Sequence, residues 1–367
     1  MSDLPADLAE LEVRPQEQLL IDALDTFTPG RMLSTSQGVA QLAAAAARRW
    51  PGATVYCHYL DLYRAELARR HVGNSLANLT LGCSPDFPPA VIDLAALPLS
   101  AQGEAELARE WLQEACQRLE PGGVLLASTD NPRDRWLHGE MRKLFAAVSR
   151  RESPQGALYI ARRDRPLKRL KNFRCEFVFR DRGRLIRAVS RPGVFSHREV
   201  DPGARQLMAA MGIQPGDRVL DMGCGSGTVS LAAALRAEGV SVLAVDSHAR
   251  AVESTLLGAR LNELPNVDVE HSHCGPSCGP EAVDVVVANP PYYAGLRIAR
   301  FFLATGHAAL RRGGRIFVVT KQPEWYAQYM PEWFDDVAIE PWKNYWIARG
   351  RRPSVSTSWQ ATAGRVD

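Results

Sequence analysis

Three short stretches of this chain carry residues whose types and spacing could do chemistry. The first is Asp221-Met222-Gly223-Cys224-Gly225-Ser226-Gly227, between the apolar run Arg218–Leu220 and an alanine-rich stretch. Gly223, Gly225 and Gly227 let the backbone turn sharply and let a ligand approach the main chain. A nucleotide-binding dehydrogenase could use such a turn, but the acid ahead of the glycines would repel a pyrophosphate. Asp221 better suits a cationic or amino-acid-bearing ligand, and S-adenosylmethionine (SAM), with its ammonium and sulfonium groups, is one. Asp246 closes the next apolar run, Val242–Asp246, where a carboxylate can accept from both hydroxyls of a ribose. The bland alternative is a tight turn followed by a surface Asp.

The second stretch is Asn289-Pro290-Pro291-Tyr292, after the apolar run Val283–Ala288. Two prolines fix the backbone and remove amide donors. The side-chain carbonyl of Asn289 and the backbone carbonyl of Pro290 remain as acceptors, and Tyr292 adds a flat face for stacking. A planar exocyclic amine or an amide nitrogen needs this set, because its lone pair is delocalised. Two acceptors on its hydrogens localise that pair as a methyl carbon approaches, so positioning and electrostatics lower the barrier. Asn289 also lies close enough in sequence to the strand end to touch the cofactor. The structural alternative is a proline-rich strand-to-loop turn.

The third stretch, His271-Ser272-His273-Cys274 with Cys278, invites a metal reading. Zinc sites usually need two separated ligand pairs to complete a tetrahedron. A cluster this compact, broken by Gly275 and Pro276, reads better as a loop under an adenine, with Ser272 and His273 the candidate contacts. No metal is expected.

These residues need elements to hold them. Short β-branched runs alternate with Ala- and Leu-rich stretches: Arg218–Asp221, a helix from about Thr228, Val242–Asp246, a helix from about Ala249, Val267–Glu270, Val283–Ala288, a helix from about Ile298, and Arg315–Thr320. That alternation predicts an α/β fold, a mostly parallel sheet with helices on both faces. The N-terminal half repeats the pattern. RMLSTSQGVAQLAAA (Arg31 to Ala45) lines up with Arg218 to Ala234 if two residues are missing from its loop. TVYCHYLDL (from Thr54) matches SVLAVDSHA (from Ser241), VIDLAALPLS (from Val91) matches VDVVVANPPY (from Val283), and EPGGVLLAST (from Glu120) matches RRGGRIFVVT (from Arg311). The expectation is two tandem Rossmann-like domains, residues 1–165 and 166–367. The first lacks the chemistry: Ser34 stands for Asp221, only Gly38 persists of the three glycines, Tyr59 stands for Asp246, and Leu97-Pro98-Leu99-Ser100 stands for Asn289 to Tyr292. Function follows the site rather than the fold, so this half is left with RNA docking or structural support.

Length and composition fit two domains. The chain has 367 residues, 46% hydrophobic and 23% charged, with a formal net charge of +3. No stretch approaches the ~20 apolar residues of a membrane span, the acidic N-terminus is no secretory signal, and seven scattered cysteines suit a reducing cytoplasm. The small net charge hides an asymmetry. Arg162 to Arg198 holds thirteen Lys or Arg and three acids, so this segment is +10 and the rest of the chain −7. A polyanion would dock on such a segment, although a solvated Arg-rich linker reads the same way. Within it, CEFVFRDRGRLIRAV predicts a hairpin turning at Asp181-Arg182-Gly183.

Asp221–Gly227 together with Asn289–Tyr292 resembles the class I SAM-dependent N-methyltransferases. The run Pro192-Gly193-Val194-Phe195-Ser196 followed by Asp201-Pro202-Gly203 resembles the start of the catalytic domain in ribosomal RNA guanine-N2 methyltransferases of the small-subunit RsmC type and their large-subunit relatives. That family also carries two tandem methyltransferase-like domains, the first degenerate. The resemblance runs from about Lys171 to Arg349 and weakly before that. It implies a SAM-dependent methyltransferase acting on the N2 amine of a guanine in ribosomal RNA, with ribosomal RNA or a ribosomal subunit as partner, no membrane, and a monomer. It also implies that Phe195 and Ser196 lie beside the cofactor. One departure is Tyr292-Tyr293 where the family usually has Phe and His; stacking survives this change, and a role for the His does not. Two other functions share these residues: a methyltransferase acting on a protein glutamine or on adenine N6, and an inactive RNA-binding ribosome-assembly protein.

Overall fold

A computed structural model of the chain describes residues 12–167, 169–291 and 296–354. Tyr292 and Tyr293 lie outside them, as does Lys168 of the basic segment. The chain forms two units. The first runs to Cys175 and takes in Ser190–His197 and Ser247–Glu253; the second is Glu176–Val189, Arg198–Asp246 and everything from Ser254.

In the first unit the strands are β1 (Arg31–Thr35), β2 (Thr54–Tyr59), β3 (Leu79–Cys83), β4 (Ile92–Leu99), β5 (Leu119–Thr129), β6 (Val148–Ser153) and β7 (Gly156–Arg162). They form one sheet in the order β3-β2-β1-β4-β5-β7-β6, parallel through β5 and antiparallel in the last two pairs. Helices α1 (Pro15–Ala23), α2 (Gln41–Arg49), α3 (Leu62–Val72), α4 (Ala105–Arg118) and α5 (Trp136–Leu144) accompany it. Leu20, Leu42 and Ala43 pack on one side with Val55 and Leu126, and Leu112 and Met141 pack on the other with Leu97 and Leu125. The domain boundary expected after residue 165 moves, because the chain beyond it is tied down. The Gln113 side chain on α4 donates to the Lys171 carbonyl at 3.0 Å and accepts from the Lys171 amide at 2.8 Å.

The second unit opens with the hairpin β8 (Cys175–Asp181) and β9 (Arg184–Ser190), whose first and last residues fall in the other unit. Arg182 and Gly183 both have positive φ, 45° and 81°, which matches the right-handed twist of the two strands. Then come α6 (Pro202–Ala210), β10 (Arg218–Met222), α7 (Thr228–Ala234), β11 (Ser241–Asp246), α8 (Ala249–Leu261), β12 (Val267–His271), β13 (Val283–Ala288), α9 (Leu296–Ala309), β14 (Leu310–Thr320), α10 (Pro323–Tyr329), β15 (Asp335–Trp342) and β16 (Tyr345–Arg351). The sheet order is β12-β11-β10-β13-β14-β16-β15, the topology of the first unit repeated strand for strand. Every residue of β13 is buried, as expected of a central parallel strand covered on both faces. Leu207 and Met208 of α6 and Ala232 and Ala233 of α7 pack with Val285, Val287 and Val319 on one face. Ala299 and Leu303 of α9 pack with Val286, Ala288 and Val318 on the other.

Matching details extend the repeat. The backbone carbonyl of Asn78 accepts from Val55, and its side-chain amide donates to the carbonyls of Ala47, Trp50 and Ala53. Asn266 does the same in the second unit, accepting from Val242 and donating to Ala234 and Val240. Two details of the sequence alignment change. Ala40 and Gly227 are both left-handed N-caps, at φ 63° and 78°, and each follows its strand's first arginine by the same number of residues. The loop of the first unit therefore has no deletion. In the fourth strand, Asp93 accepts from the amide of Arg31 as Asp284 does from that of Arg218. This equivalence moves the alignment by one residue, so Pro98 and not Leu97 stands opposite Asn289.

Candidate active site

β10 is the strand from which the sheet of the second unit grows in both directions, with β11 on one side and β13 on the other. Ligands of open α/β sheets bind outside the carboxyl ends of the strands at such a switch point. Met222 is in register with Val245 of β11 and with Ala288 of β13. The glycine loop, Asp246 and Asn289 therefore leave three adjacent strands at the same edge, each about 5 Å from the next. Ser272 continues the row: Asp246 is in register with His271 of β12, and the Ser272 amide donates to the Asp246 carbonyl at 3.0 Å.

The loop is built by its glycines. Gly223, Gly225 and Gly227 have φ of 76°, 56° and 78°. The amides of Gly223 and Cys224 both donate to the Val245 carbonyl, pinning the start of the loop to β11. A Cβ on Gly227 would stand 2.7–3.0 Å from Thr255. A Cβ on Gly225 would meet nothing within 4 Å, so the backbone there faces open space into which a ligand can come. The Gly225 amide donates to Asp246 Oδ2 at 2.9 Å. The acid expected to hold a ribose thus also braces the loop.

Asp221 is the last residue but one of β10, just ahead of the glycine loop. Its side chain is buried, 2% exposed, and accepts from the hydroxyl of Ser230 on α7. Burial pushes its carboxyl up to about 7, and the charge of Asp246 adds to the rise. It ties the loop to the following helix from beneath. The Ser272 hydroxyl donates to the Gly275 carbonyl at 2.6 Å, which closes the turn after β12. Cys274 is exposed and Cys278 half-buried, both as free thiols.

Asn289 follows the last residue of β13. Its Nδ2 donates to Asp201 Oδ2 at 2.9 Å. Asp201 is the N-cap of α6, and the same oxygen accepts from the Ala204 amide at 2.7 Å. Nothing in the residue types around Asn289 pointed to this partner. The signal was the cap signature itself, an Asp followed by Pro and a helical run. Phe195 and Ser196 belong to the Ser190–His197 segment of the first unit; Phe195 is 52% exposed and Ser196 has a left-handed φ of 54°.

In the first unit of the same fold, other side chains stand at the equivalent positions. Tyr59, in the place of Asp246, is 2% exposed and donates to the Gly38 carbonyl of the loop at 3.2 Å. Ser34, in the place of Asp221, is fully buried. β4 does not stop where β13 does: Pro98 and Leu99 continue the ladder opposite Ser128 and Thr129. The side chain of Ser128 in turn holds α1, donating to the Gln16 carbonyl at 2.6 Å.

Residues 186–349 match the methyltransferase small domain family. Among curated relatives, the chain is similar to ribosomal RNA small subunit methyltransferase C of Chromohalobacter salexigens, 35% identical over 155 residues, covering 40% of this chain and 44% of that protein. The protein of the same description from Haemophilus influenzae is 27% identical over 206 residues, covering 55% of this chain and 60% of its own length. The chain thus spans about half the length of the curated relatives it matches. A solved structure, the T. thermophilus 16S ribosomal RNA N2 guanine methyltransferase RsmC in complex with AdoMet and guanosine, superposes with a TM-score of 0.77 at 23% identity, over 92% of each chain. The likeness over 92% of each chain shows that the two units share the tandem α/β fold of that structure, and the resemblance to the RsmC type holds.

Proposed function

We propose that this chain is a SAM-dependent methyltransferase acting on the exocyclic N2 amine of a guanine in small-subunit ribosomal RNA. The observation that carries this reading is the row formed by the glycine loop, Asp246 and Asn289 at the switch point of the second unit, set against its loss in the first. The residues fit the cofactor. Three left-handed glycines shape the loop, the main chain at Gly225 faces open space, and a carboxylate stands at the next strand end for a ribose. SAM, when bound, supplies a methyl carbon on a positively charged sulfur, and the S–C electron pair leaves with that sulfur as the neutral thioether.

The remaining chemistry belongs to the chain and the base. The guanine amine forms the N–C bond with its lone pair and loses one proton to solvent. Asn289 Oδ1 and the Pro290 carbonyl accept from the amine hydrogens and hold the lone pair on the line of attack. Tyr292 is assigned to stack on the base. The base must leave its stack to reach this edge. Exposed arginines of the hairpin, such as Arg180, Arg182 and Arg184, would hold phosphates. Arg191 would not: its guanidinium pairs with Asp86, Glu110 and Glu253, and its side chain is 11% exposed. The first unit, with no cofactor site, is left with docking or support.

The deciding experiment maps methylated guanines in ribosomal RNA from cells with the protein, without it, and with Asn289→Ala in its place. One N2-methylguanine should be present with the protein and missing in both other cases, while purified Asn289→Ala still binds SAM. Label found in protein or in adenine would overturn the guanine assignment, and full methylation by Asn289→Ala would overturn the role of the amide.

A further inference from the structure

An asparagine used as an acceptor has a weakness. Its side chain carries a carbonyl on one edge and an NH2 on the other, and rotation about its last side-chain bond exchanges them at little cost. Turned one way, Asn289 accepts from an amine. Turned the other, it presents donors to a donor. Something must fix which edge faces the substrate. The Asn289 NH2 lies 2.9 Å from Asp201 Oδ2. A carboxylate only accepts, so this contact can form only with the NH2 edge turned to Asp201, which assigns Oδ1 to the opposite edge.

From this geometry we infer that Asp201 is a positioning residue for the transfer, acting through Asn289, an inference that rests on the function proposed above. It has two effects. It selects the amide rotamer that presents Oδ1. By drawing on an amide hydrogen, its charge also shifts electron density onto Oδ1, because bonds in a chain polarise one another. Asp201 is itself held. Its Oδ2 accepts from the Ala204 amide at 2.7 Å, Pro202 sets the first helical position, and the Arg205 amide closes on the Asp201 carbonyl at 3.0 Å. Helix α6 is anchored by Leu207 and Met208, which pack with Val287 of the strand that carries Asn289 and with Val319 beside it. The N-terminus of α6 and the end of β13 are thus locked together by one oxygen, and the acceptor is aimed before any substrate arrives.

Three substitutions separate aiming from capping. Asp201→Ser keeps a good N-cap but is too short to hold the cap and reach Asn289 together. Asp201→Asn keeps a cap and an acceptor oxygen but removes the charge. Asp201→Ala removes both. Each is compared with the wild type using small-subunit ribosomal RNA, as transcript and as assembled subunit, with SAM affinity from calorimetry and a melting curve. Asp201→Ser is expected to lower kcat about 10- to 100-fold, the usual range for loss of a residue that orients a reacting group. Its SAM affinity should stay within about twofold and its melting temperature should hold. Asp201→Asn should fall between Ser and wild type. If Asp201→Ala fails to fold, the Ser variant still decides. Wild-type kcat in Asp201→Ser, or a loss of SAM affinity matching the loss of rate, would overturn the inference. If the wild type methylates an acceptor other than guanine, the proposed function falls, while the ratio of variant to wild type on that acceptor still tests Asp201.

Discussion

Asn289 and Asp201 are separated by 88 positions in sequence, yet they share a hydrogen bond that decides how the acceptor faces. The type and neighbours of Asn289 were legible because prolines and an apolar strand around an asparagine leave few roles. Its partner was not legible, because contact across the fold leaves no local pattern. Asp221 has a partner that its position did not reveal. Its place before the glycines suggested a ligand contact, and the structure buries it against Ser230. Burial has a measurable consequence at this scale. The unfolded chain releases the Asp221 proton near pH 4, whereas the folded chain keeps it to about 7. Between those values the folded state binds more protons, so raising the pH through that window removes stability, and the loss levels off above it. Asp221→Asn carries no such proton and can still accept from Ser230. Melting temperatures measured from pH 5 to pH 8 should therefore show the variant gaining on the wild type as pH rises. A gap between the two that does not change with pH would show that burial does not control this carboxyl.

Among the elements, the strands at the middle of each sheet were the most legible. Val283–Ala288 is an unbroken apolar run because both its faces are covered, and its observed bounds match the expectation. The last two strands, β15 and β16, were missed. β15 lies at the sheet edge and is nowhere fully buried, so no alternation marks it. The repeat was legible in order but not in register, because the two copies share turns and apolar runs more than they share residues. The loop after β10 gives a prediction at this scale. Gly227 and Gly225 are both left-handed, but only Gly227 is crowded, by Thr255. Gly227→Ala should destabilise the protein by about 2–3 kcal/mol, combining backbone strain with overpacking. Gly225→Ala should cost only about 1 kcal/mol of stability while weakening SAM binding, because its methyl would enter the open space over the loop. Urea unfolding and calorimetry on the two variants would separate these effects; equal stability losses would show that the contact with Thr255 yields freely.

For the whole molecule, the near-neutral net charge is less informative than its distribution. In the hairpin, Glu176 pairs with Arg187 and Asp181 with Arg236. Both hairpin acids are thereby engaged, while Arg180, Arg182 and Arg184 stay exposed. Binding to ribosomal RNA should weaken linearly on a plot of log affinity against log salt. Replacing these three arginines with Ala should reduce that slope by about 2, at roughly 0.7 per single-strand phosphate contact. An unchanged slope would remove the hairpin from the RNA surface. The Asn289-Pro290 sequence has one more consequence, for how the protein ages. Asparagine is hydrolysed to aspartate mainly when the backbone nitrogen of the next residue attacks its side chain, which requires that nitrogen to carry a hydrogen. Proline has none. The residue whose conversion to a carboxylate would set two negative charges face to face at Asp201 is therefore shielded from that conversion by its own neighbour, and in a stored preparation the site should outlast those asparagines of the same molecule that no proline follows.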